Sequence, residues 1–247
     1  MIISIDGRDC YCEKGEYILD IAKRNGIYIP TFCHNEGLRG RASCRVCIVE
    51  ADIGGRREVV SACIYPVERE MDIFTNSDKI KRQRKMILSL LSARAPEADN
   101  VAVMLEQAGG TASERFTRLK GEKCIMCGLC VQACESVGTG AIATVLRGTE
   151  KKVSTPYGEA SERCIGCASC AAVCPTETII VSEADDRRTI WEKTFTLLKC
   201  EKCGKTLGTP EEVEFAAKKA GVEPSKLCDE CKKKAAADVF AETFGYN

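Results

Sequence analysis

The sequence predicts an α+β protein made of four consecutive modules. Three observations support this prediction. Alternating strand patterns and then a helical pattern open the chain, two identical C-x2-C-x2-C-x3-C runs occupy its middle, and two C-x2-C pairs lie near its end. A chain of 247 residues divided in this way does not form one large apolar core, and its 18 cysteines indicate that the small modules are organised around metal.

The first module, residues 1–76, is predicted to be a β-grasp domain from the order of its elements. Apolar residues at Ile2, Ile3 and Ile5 precede a polar turn and a second strand pattern that ends near Gly15, which predicts a β-hairpin. Residues 17–26 then place apolar side chains at helical spacing and end on a glycine, as helices commonly do. A cysteine-rich loop follows this helix.

That loop and the strand after it carry four cysteines at the spacing C-x10-C-x2-C-x15-C. They are Cys33, Cys44, Cys47 and Cys63. A 2Fe-2S cluster takes four thiolates, which a long loop with three cysteines and a later strand with the fourth can supply. Gly37, Gly40 and the small residues at 42–43 let the backbone approach the cluster and donate N–H groups to its sulfides. We therefore predict a 2Fe-2S site here.

Three other residues of the first module have side chains that bind metals in many proteins. His34 is the only histidine of the chain, and a Rieske-type centre needs two, so we expect His34 to lie at the rim of the cluster. Cys10 and Cys12 alternate on the second strand and therefore face the same side. We expect these two thiols to pack as small apolar side chains, with a redox or metal role as the alternative.

Residues 77–120 are predicted to form a helical linker. Ser77 or Asn76 can cap a helix whose apolar face includes Ile80 and Leu88, while five basic residues between positions 79 and 85 occupy the rest of its surface. We expect this basic run to face solvent or a partner protein rather than nucleic acid. A second helix is predicted from Pro96 to about residue 107, where two glycines end it.

The third module, residues 121–190, contains the two identical cysteine runs. They consist of Cys124, Cys127, Cys130 and Cys134, and of Cys164, Cys167, Cys170 and Cys174 followed by Pro175. This spacing binds two 4Fe-4S clusters, and the fourth cysteine of each run ligates the other cluster. We therefore assign one cluster to a first cysteine set and its neighbour to a second cysteine set. The first set is Cys124, Cys127, Cys130 and Cys174; the second is Cys134, Cys164, Cys167 and Cys170. A secreted disulfide framework fits this tandem spacing poorly.

The last module, residues 195–247, carries a C-terminal cysteine group made of two C-x2-C knuckles. Its members are Cys200, Cys203, Cys228 and Cys231. Two knuckles separated by a helical stretch at 211–220 suit a structural zinc ion in a zinc-ribbon-like module. A single iron ion or a further iron-sulfur cluster remains chemically open. We expect the final helix, which offers Val239, Phe240 and Phe244, to dock on a partner subunit.

Composition and missing motifs argue against several classes of function. The 36 basic and 36 acidic residues balance, which gives no electrostatic case for nucleic acid or an anionic membrane as a partner. Neither a G-x-G-x-x-G nor a G-x4-G-K-[ST] phosphate-binding loop is present, and no acid-base pair stands out. Because no secretory signal or membrane-spanning stretch is recognisable and iron-bound thiolates survive best under reducing conditions, we expect a cytoplasmic protein.

Two parts of the sequence resemble a known family. The segments IPTFC at 29–33, SCRVCIVE at 43–50 and SAC at 61–63 resemble the N-terminal 2Fe-2S domain of the large iron-sulfur subunit of respiratory complex I and of iron-only and NAD-linked hydrogenases. The two cysteine runs resemble the dicluster domain of the same subunits, with Glu135 where a ferredoxin usually has proline. The family also binds one more 4Fe-4S cluster through a histidine and three cysteines, but residues 77–123 contain neither residue type.

The resemblance implies an electron-transfer subunit without catalytic residues of its own. It implies the small, diaphorase-side iron-sulfur subunit of a soluble NAD(P)-linked, electron-bifurcating hydrogenase. Such a subunit relays electrons between a flavoprotein subunit that binds NAD(P) and a catalytic subunit or ferredoxin. An NAD-dependent formate dehydrogenase is the alternative complex.

Two functions of other classes stay open. One is a freely diffusing ferredoxin-type carrier, although such carriers generally present a strongly acidic surface and the charge here is balanced. The other is a redox-sensing regulator whose zinc module contacts nucleic acid, for which the lysines at 232–234 are weak support.

Overall fold

The structure, a computed structural model, describes residues 1–245, so Tyr246 and Asn247 of the predicted C-terminal module lie outside the described residues. It mixes helices and strands, as the sequence predicts. Within residues 1–245, none of the helices is both long and apolar enough to cross a lipid bilayer.

A five-stranded mixed sheet with one helix opens the chain. Its elements are β1 (Ile2–Ile5), β2 (Arg8–Tyr11), α1 (Ile18–Arg24), β3 (Ile48–Ile53), β4 (Arg56–Ser61) and β5 (Asp72–Phe74). The strand order is β2-β1-β5-β3-β4, with β1 and β5 parallel and the other neighbours antiparallel. This arrangement agrees with the predicted β-grasp order. The long connection from α1 to β3 carries three of the four predicted 2Fe-2S ligands.

The sheet and α1 share an apolar core. Ile3, Ile5 and Leu19 are almost fully buried, because alternate residues of β1 and one face of α1 point to the same side. Cys10 and Cys12 belong to this core, and burial raises the pKa of both thiols. Their surroundings agree with the expectation that they pack as small apolar side chains and stay unreactive.

Two helices follow the sheet. They are α2 (Asp78–Arg94) and α3 (Asp99–Gln107). Ser77 caps α2, since its hydroxyl oxygen accepts a hydrogen bond from the N–H of Ile80 at 3.3 Å. The second helix begins three residues after Pro96, later than predicted. At that point the N–H of Glu97 donates to the carbonyl of Glu122 at 3.1 Å and the chain does not yet turn into a helix.

The basic run of α2 is only partly a solvated surface. Lys81, Arg82 and Lys85 are exposed, but Arg84 is only 6% exposed. The expectation that all five basic side chains face outward is therefore wrong for Arg84. The physical reason is that backbone carbonyls inside the module accept hydrogen bonds from its guanidinium.

The middle of the chain is mostly loop with short elements. They are α4 (Leu129–Val137), β6 (Ala143–Val145), β7 (Lys152–Ser154) and α5 (Ser169–Ala172). β6 and β7 form a two-stranded sheet. Each predicted 4Fe-4S run therefore begins in a loop and enters a helix at its third cysteine.

The last part of the described chain combines strands and two helices. The elements are β8 (Ser182–Ala184), β9 (Arg187–Ile190), β10 (Lys193–Thr196), β11 (Leu198–Lys199), β12 (Thr206–Gly208), α6 (Pro210–Ala220) and α7 (Asp229–Phe244). The three-stranded sheet β10-β9-β8 was not anticipated from the sequence pattern. The helix predicted at 211–220 is present, and the second cysteine knuckle begins α7.

The described chain divides into two compact units. The first comprises Met1–Ala133, Thr144–Val153 and Val173–Thr178; the second comprises Cys134–Ala143, Ser154–Ala172 and the residues from Ile179 onward. The segment that contains Cys134 belongs to the second unit, and the segment that contains Cys174 belongs to the first. The fourth cysteine of each run therefore lies in a different unit from the first three.

Candidate metal centres

The four cysteines predicted to bind the 2Fe-2S cluster converge in the first unit. Cys33, Cys44, Cys47 and Cys63 are all buried. Hydrogen bonds from the thiols of Cys44 and Cys63 lower the pKa of Cys33, and a hydrogen bond from Cys63 lowers the pKa of Cys47. The N–H of Cys44 also donates to Cys33 Sγ at 3.3 Å. Four sulfurs that share protons in this way are close enough to bind one small cluster.

Close backbone packing holds this loop in place. Ala42 and Arg45 adopt left-handed conformations, with φ of 50° and 58°, which L residues seldom adopt and which are common at functional sites. Gly40 packs directly on the fourth ligand: a Cβ at this position would lie 2.5 Å from the Cys63 carbonyl oxygen and 2.7 Å from Ile64 Cγ2. Only a glycine fits there.

We expect Gly40→Ala to damage the 2Fe-2S site. The added methyl overlaps backbone atoms that cannot rotate away, so the segments carrying the ligands must separate, at a cost of about 1–3 kcal/mol. The expected result is a selective loss of the 2Fe-2S EPR signal. Gly37→Ala is the matched control in the same loop, because its Cβ would meet only Asn35 Oδ1 at 3.4 Å. Equal 2Fe-2S content in the two variants would contradict the prediction.

Arg84 supports the same site from α2. Its Nε donates to the Val46 carbonyl at 3.0 Å, and its Nη2 donates to the carbonyls of Ile48 at 2.8 Å and Thr75 at 3.0 Å. Cys47 lies between the first two acceptors. Burial lowers the pKa of Arg84 and the negative charge of Cys47 opposes that shift, while a guanidinium stays charged in proteins. A fixed positive charge thus lies beside Cys47, a predicted cluster ligand.

We expect Arg84→Gln to lower the 2Fe-2S reduction potential and to destabilise the module. Loss of the positive charge disfavours the more negative, reduced cluster, and hydrogen bonds to a charged group are worth about 1.5–3 kcal/mol each. The measurements are an EPR-monitored redox titration and a denaturant unfolding curve. Arg82→Gln removes the same charge from the exposed face of α2 and serves as the control. Arg84→Lys keeps the positive charge, so its 2Fe-2S reduction potential should stay close to that of the unsubstituted protein. A reduction potential as low as that of Arg84→Gln would contradict this explanation.

The first cysteine set lies wholly in the first unit. Burial, reinforced by the negative charges of neighbouring cysteines that include Cys174, raises the pKa of Cys127 to about 11 and that of Cys130 to about 12. Burial opposes ionisation of Cys174, but the N–H groups of Thr178 and Thr176 outweigh it and lower the pKa of Cys174. The N–H of Thr178 lies 3.4 Å from Cys174 Sγ. Cys174, the fourth cysteine of the second run, therefore lies near the first three cysteines of the first run.

The second cysteine set lies wholly in the second unit. All four of its cysteines line one cavity, together with Ile190 and Trp191. Cys134 Sγ accepts hydrogen bonds from the N–H of Ala141 at 3.1 Å and lies 3.2 Å from Thr139 Oγ1. The Trp191 indole N–H donates to Cys170 Sγ at 3.5 Å. The set therefore forms a cavity with its own hydrogen-bond donors.

The two ligand loops repeat one backbone conformation. Met126 and Gly166, which lie two residues after the first cysteine of each run, have φ of 55° and 70°. Gly128 and Ala168, which lie four residues after it, have φ of 79° and 57°. These left-handed residues turn backbone N–H groups toward the sulfurs, as the N–H of Met126 shows by donating to Cys124 Sγ at 3.4 Å. Both loops are shaped to surround an anionic group.

The donors present fit iron-sulfur clusters at all three positions. Each set supplies four thiols, and backbone N–H groups point at sulfurs in each. Several buried thiols keep their protons at neutral pH, because their pKa values are raised. Binding of iron must displace these protons, so that the charge of the metal replaces them.

The C-terminal cysteine group is more compact. The Sγ atoms of all four members lie within 4.8 Å of one another, and the group is the one cysteine cluster within residues 1–245 that meets this condition. Cys203 Sγ and Cys228 Sγ are 3.6 Å apart. The N–H of Cys228 donates to Cys200 Sγ at 3.3 Å and is the largest cause lowering the pKa of Cys200 to about 6. Four sulfurs around one zinc at about 2.3 Å stand about 3.8 Å apart, whereas a cubane keeps its ligands farther apart, so the group fits a single ion.

The side chain of His34 is largely covered but lies outside the predicted ligand group of the 2Fe-2S site. Its Nε2 lies 3.7 Å from Asp20 Oδ1. Burial, which disfavours the charged imidazolium, lowers its pKa. This position agrees with the expected place at the rim of the site.

The structure adds residues beside the candidate sites that the sequence analysis missed. Arg84 lies four residues from both Ile80 and Leu88, so helical spacing could have placed it on their buried face, whereas Trp191 lies in a hairpin that no pattern predicted. A lone tryptophan beside a cysteine motif was the only available signal for the second. Neither residue is close in sequence to the cysteine that it supports.

Comparison with known proteins adds independent findings. Residues 1–78 match the model of a 2Fe-2S iron-sulfur cluster binding domain, and residues 117–181 match the model of a 4Fe-4S dicluster domain. The chain is 32% identical to the NADP-reducing hydrogenase subunit HndD of Solidesulfovibrio fructosivorans, covering 78% of this chain and 37% of the relative. It is 30% identical to the NADPH-Fe(3+) oxidoreductase subunit alpha of Geobacter sulfurreducens, covering 90% of this chain and 28% of the relative.

A solved structure shows the same likeness. The chain superimposes with a TM-score of 0.55 and 25% identity on a chain of NAD+-reducing [NiFe]-hydrogenase in the H2-reduced state, covering 62% of this chain and 74% of that one. The chain spans about a third of the length of the curated relatives that it matches.

Proposed function

We propose that the chain is the electron-transfer subunit of an NAD(P)-linked oxidoreductase complex, because it is similar to the iron-sulfur subunits of NAD(P)-linked hydrogenases and oxidoreductases. A hydrogenase is the complex that its relatives favour. Electrons pass between a flavoprotein subunit that binds NAD(P) and a catalytic subunit or ferredoxin. The protein is therefore part of a hetero-oligomer in the cytoplasm and has no substrate of its own.

One observation supports this proposal: two predicted 2Fe-2S ligands and one cysteine of the first cysteine set share an apolar core. Cys33, Cys44 and Cys127 all belong to it, together with Phe32 and Leu129. The negative charge of Cys33 is among the influences on the pKa of Cys127. Redox centres whose ligands pack into one apolar core lie close together, and electron transfer between them requires this closeness.

The proposed cofactors are one 2Fe-2S cluster, two 4Fe-4S clusters and one zinc ion. The 2Fe-2S cluster binds to Cys33, Cys44, Cys47 and Cys63, each cubane binds to one cysteine set, and zinc binds to the C-terminal cysteine group. The compactness of that group supports a single ion over a further cluster. When bound, the clusters supply reversible one-electron transfer.

The test is anaerobic purification of the native protein from its own cells. We expect it to elute far above its own mass of 27.0 kDa, together with flavin and a subunit that binds NAD(P). Metal analysis should give about ten irons and one zinc per chain. Elution as a monomer without flavin would contradict the complex and favour a diffusing carrier. About fourteen irons without zinc would contradict the assignment of the C-terminal group.

A further inference from the structure

The hairpin formed by β9 and β10 lies against the second cysteine set. This cover hairpin, residues 187–196, follows the part of the chain that matches the dicluster domain, residues 117–181. Its turn consists of Trp191 and Glu192, with φ of 51° and 59°, which is the geometry of a tight two-residue hairpin turn. The turn directs the only tryptophan of the sequence toward the cluster cavity.

Cationic side chains of the cover hairpin bind the backbone of the ligand loop. Lys193 Nζ donates to the carbonyls of Cys164 at 2.8 Å, Ser161 at 3.3 Å and Glu162 at 3.4 Å. Arg188 Nη1 donates to the carbonyl of Gly166 at 2.7 Å. Four carbonyl groups of one short segment therefore point toward positive charges on the hairpin, which fixes the conformation of the loop.

Apolar contacts close the same surface. Ile190 is 2% exposed and Phe195 is also 2% exposed. Phe195 packs so closely on Gly166 that a Cβ there would lie 2.9 Å from its ring. Thr209, the capping residue of α6, is fully buried and donates a hydrogen bond to the carbonyl of Ile165. Buried side chains therefore cover this side of the loop.

We propose that the cover hairpin is an integral part of the second 4Fe-4S site and raises the reduction potential of that cluster. Trp191 is the main positioning residue, because its indole N–H donates to Cys170 Sγ. Hydrogen bonds to ligand sulfurs and nearby positive charges stabilise the more negative, reduced state of a cluster. The hairpin also protects the cluster from solvent. The inference rests on the proposed presence of two cubanes.

The first test is Trp191→Phe in the full chain, which removes the donor and keeps an aromatic ring. Loss of one N–H to sulfur bond that favours the reduced state should make the equilibrium constant for reducing one cubane roughly fivefold smaller, which equals about 41 mV for a one-electron couple at about 59 mV per tenfold change. EPR-monitored redox titration should show that single shift, with the other cubane and the 2Fe-2S cluster unchanged. Full iron content with three unchanged potentials would overturn the proposal. Wild-type protein without a paired cubane signal would instead contradict the proposed function.

A second variant covers the case in which Trp191→Phe assembles no cluster. Lys193→Gln removes three hydrogen bonds to the ligand loop, whereas Lys199→Gln removes an exposed lysine that pairs with Asp186 at 2.8 Å. We expect iron to be released several-fold faster in air from Lys193→Gln than from Lys199→Gln. Equal rates would overturn the protective role.

Tryptophan fluorescence provides a readout independent of redox potential. Because Trp191 is the only tryptophan, its emission should be strongly quenched when the second cluster is built into the apoprotein. Emission that stays unchanged on full reconstitution would contradict the contact between the hairpin and the cluster.

Discussion

Replacing Cys174 with alanine is expected to remove the cluster of the first cysteine set and to spare that of the second. Cys174 lies in the same compact unit as Cys124, Cys127 and Cys130, and its charge is among those acting on their pKa values. About four of the ten irons should be lost. The tryptophan emission should stay quenched, because the cluster beside Trp191 remains.

Cys134→Ala should have the opposite effect. This cysteine lines the cavity of the second set, so about four irons are again lost but the emission of Trp191 rises. Cys10→Ala is the control, since Cys10 is a buried thiol outside all ligand sets. If each variant instead lost the cluster bound by the other three cysteines of its own run, the assignment of the fourth cysteine to the other cluster would be wrong.

Loss of the C-terminal metal is expected to unfold the module that surrounds it. The buried core there consists of Cys200, Cys228 and Cys231, with Leu207 and Leu227 packed against them. A core made largely of metal ligands has little apolar area to stabilise it once the ion is gone. Cys228→Ala should therefore abolish the helical circular dichroism of α6 and α7, and this segment should become sensitive to proteases.

The same loss should weaken only the nearest cluster. Thr209 connects α6 to the ligand loop of the second cysteine set, so that cluster should become more sensitive to air while the 2Fe-2S signal persists. Cys12→Ala is the control for removal of a buried thiol. A folded, protease-resistant module in metal-free Cys228→Ala protein would contradict the prediction.

Acid should release this metal. Hydrogen bonding among the four cysteines raises the pKa of Cys231 to about 12, so that thiol gives up a proton when metal binds. Metal affinity therefore rises with pH and falls as the pH is lowered. Titration with a chromophoric chelator at several pH values measures this dependence.

The cysteine spacing predicted the two iron-sulfur domains. The conformation of a ligand loop depends on residues three or four positions apart, and a local pattern records that information directly. The matching domain models confirm a 2Fe-2S domain followed by a dicluster domain. The helices α1, α2 and α6 were also predictable, because apolar periodicity and capping residues are local.

The second coordination shell was not predictable in this way. Arg84 is separated from Val46 by 38 residues, and Trp191 is separated from Cys170 by 21 residues. Helical spacing puts Arg84, unlike Arg82, on the buried face of Ile80 and Leu88, but it does not identify the carbonyl groups that Arg84 binds. The hairpin that carries Trp191 lacks the regular apolar alternation that identifies strands.

The sequence by itself determined the positions of the cysteine motifs, and from them it predicted which thiols bind iron, how many centres to expect and the family in which to look for the function. Only the tertiary structure decided which polar groups face each set of sulfurs and which apolar core connects two of the centres. The physical reason is the distance along the chain between the residues that interact. Ligation is encoded in short spacings along the chain, whereas hydrogen bonds, charges and water exclusion around a cluster come from segments that meet only after folding.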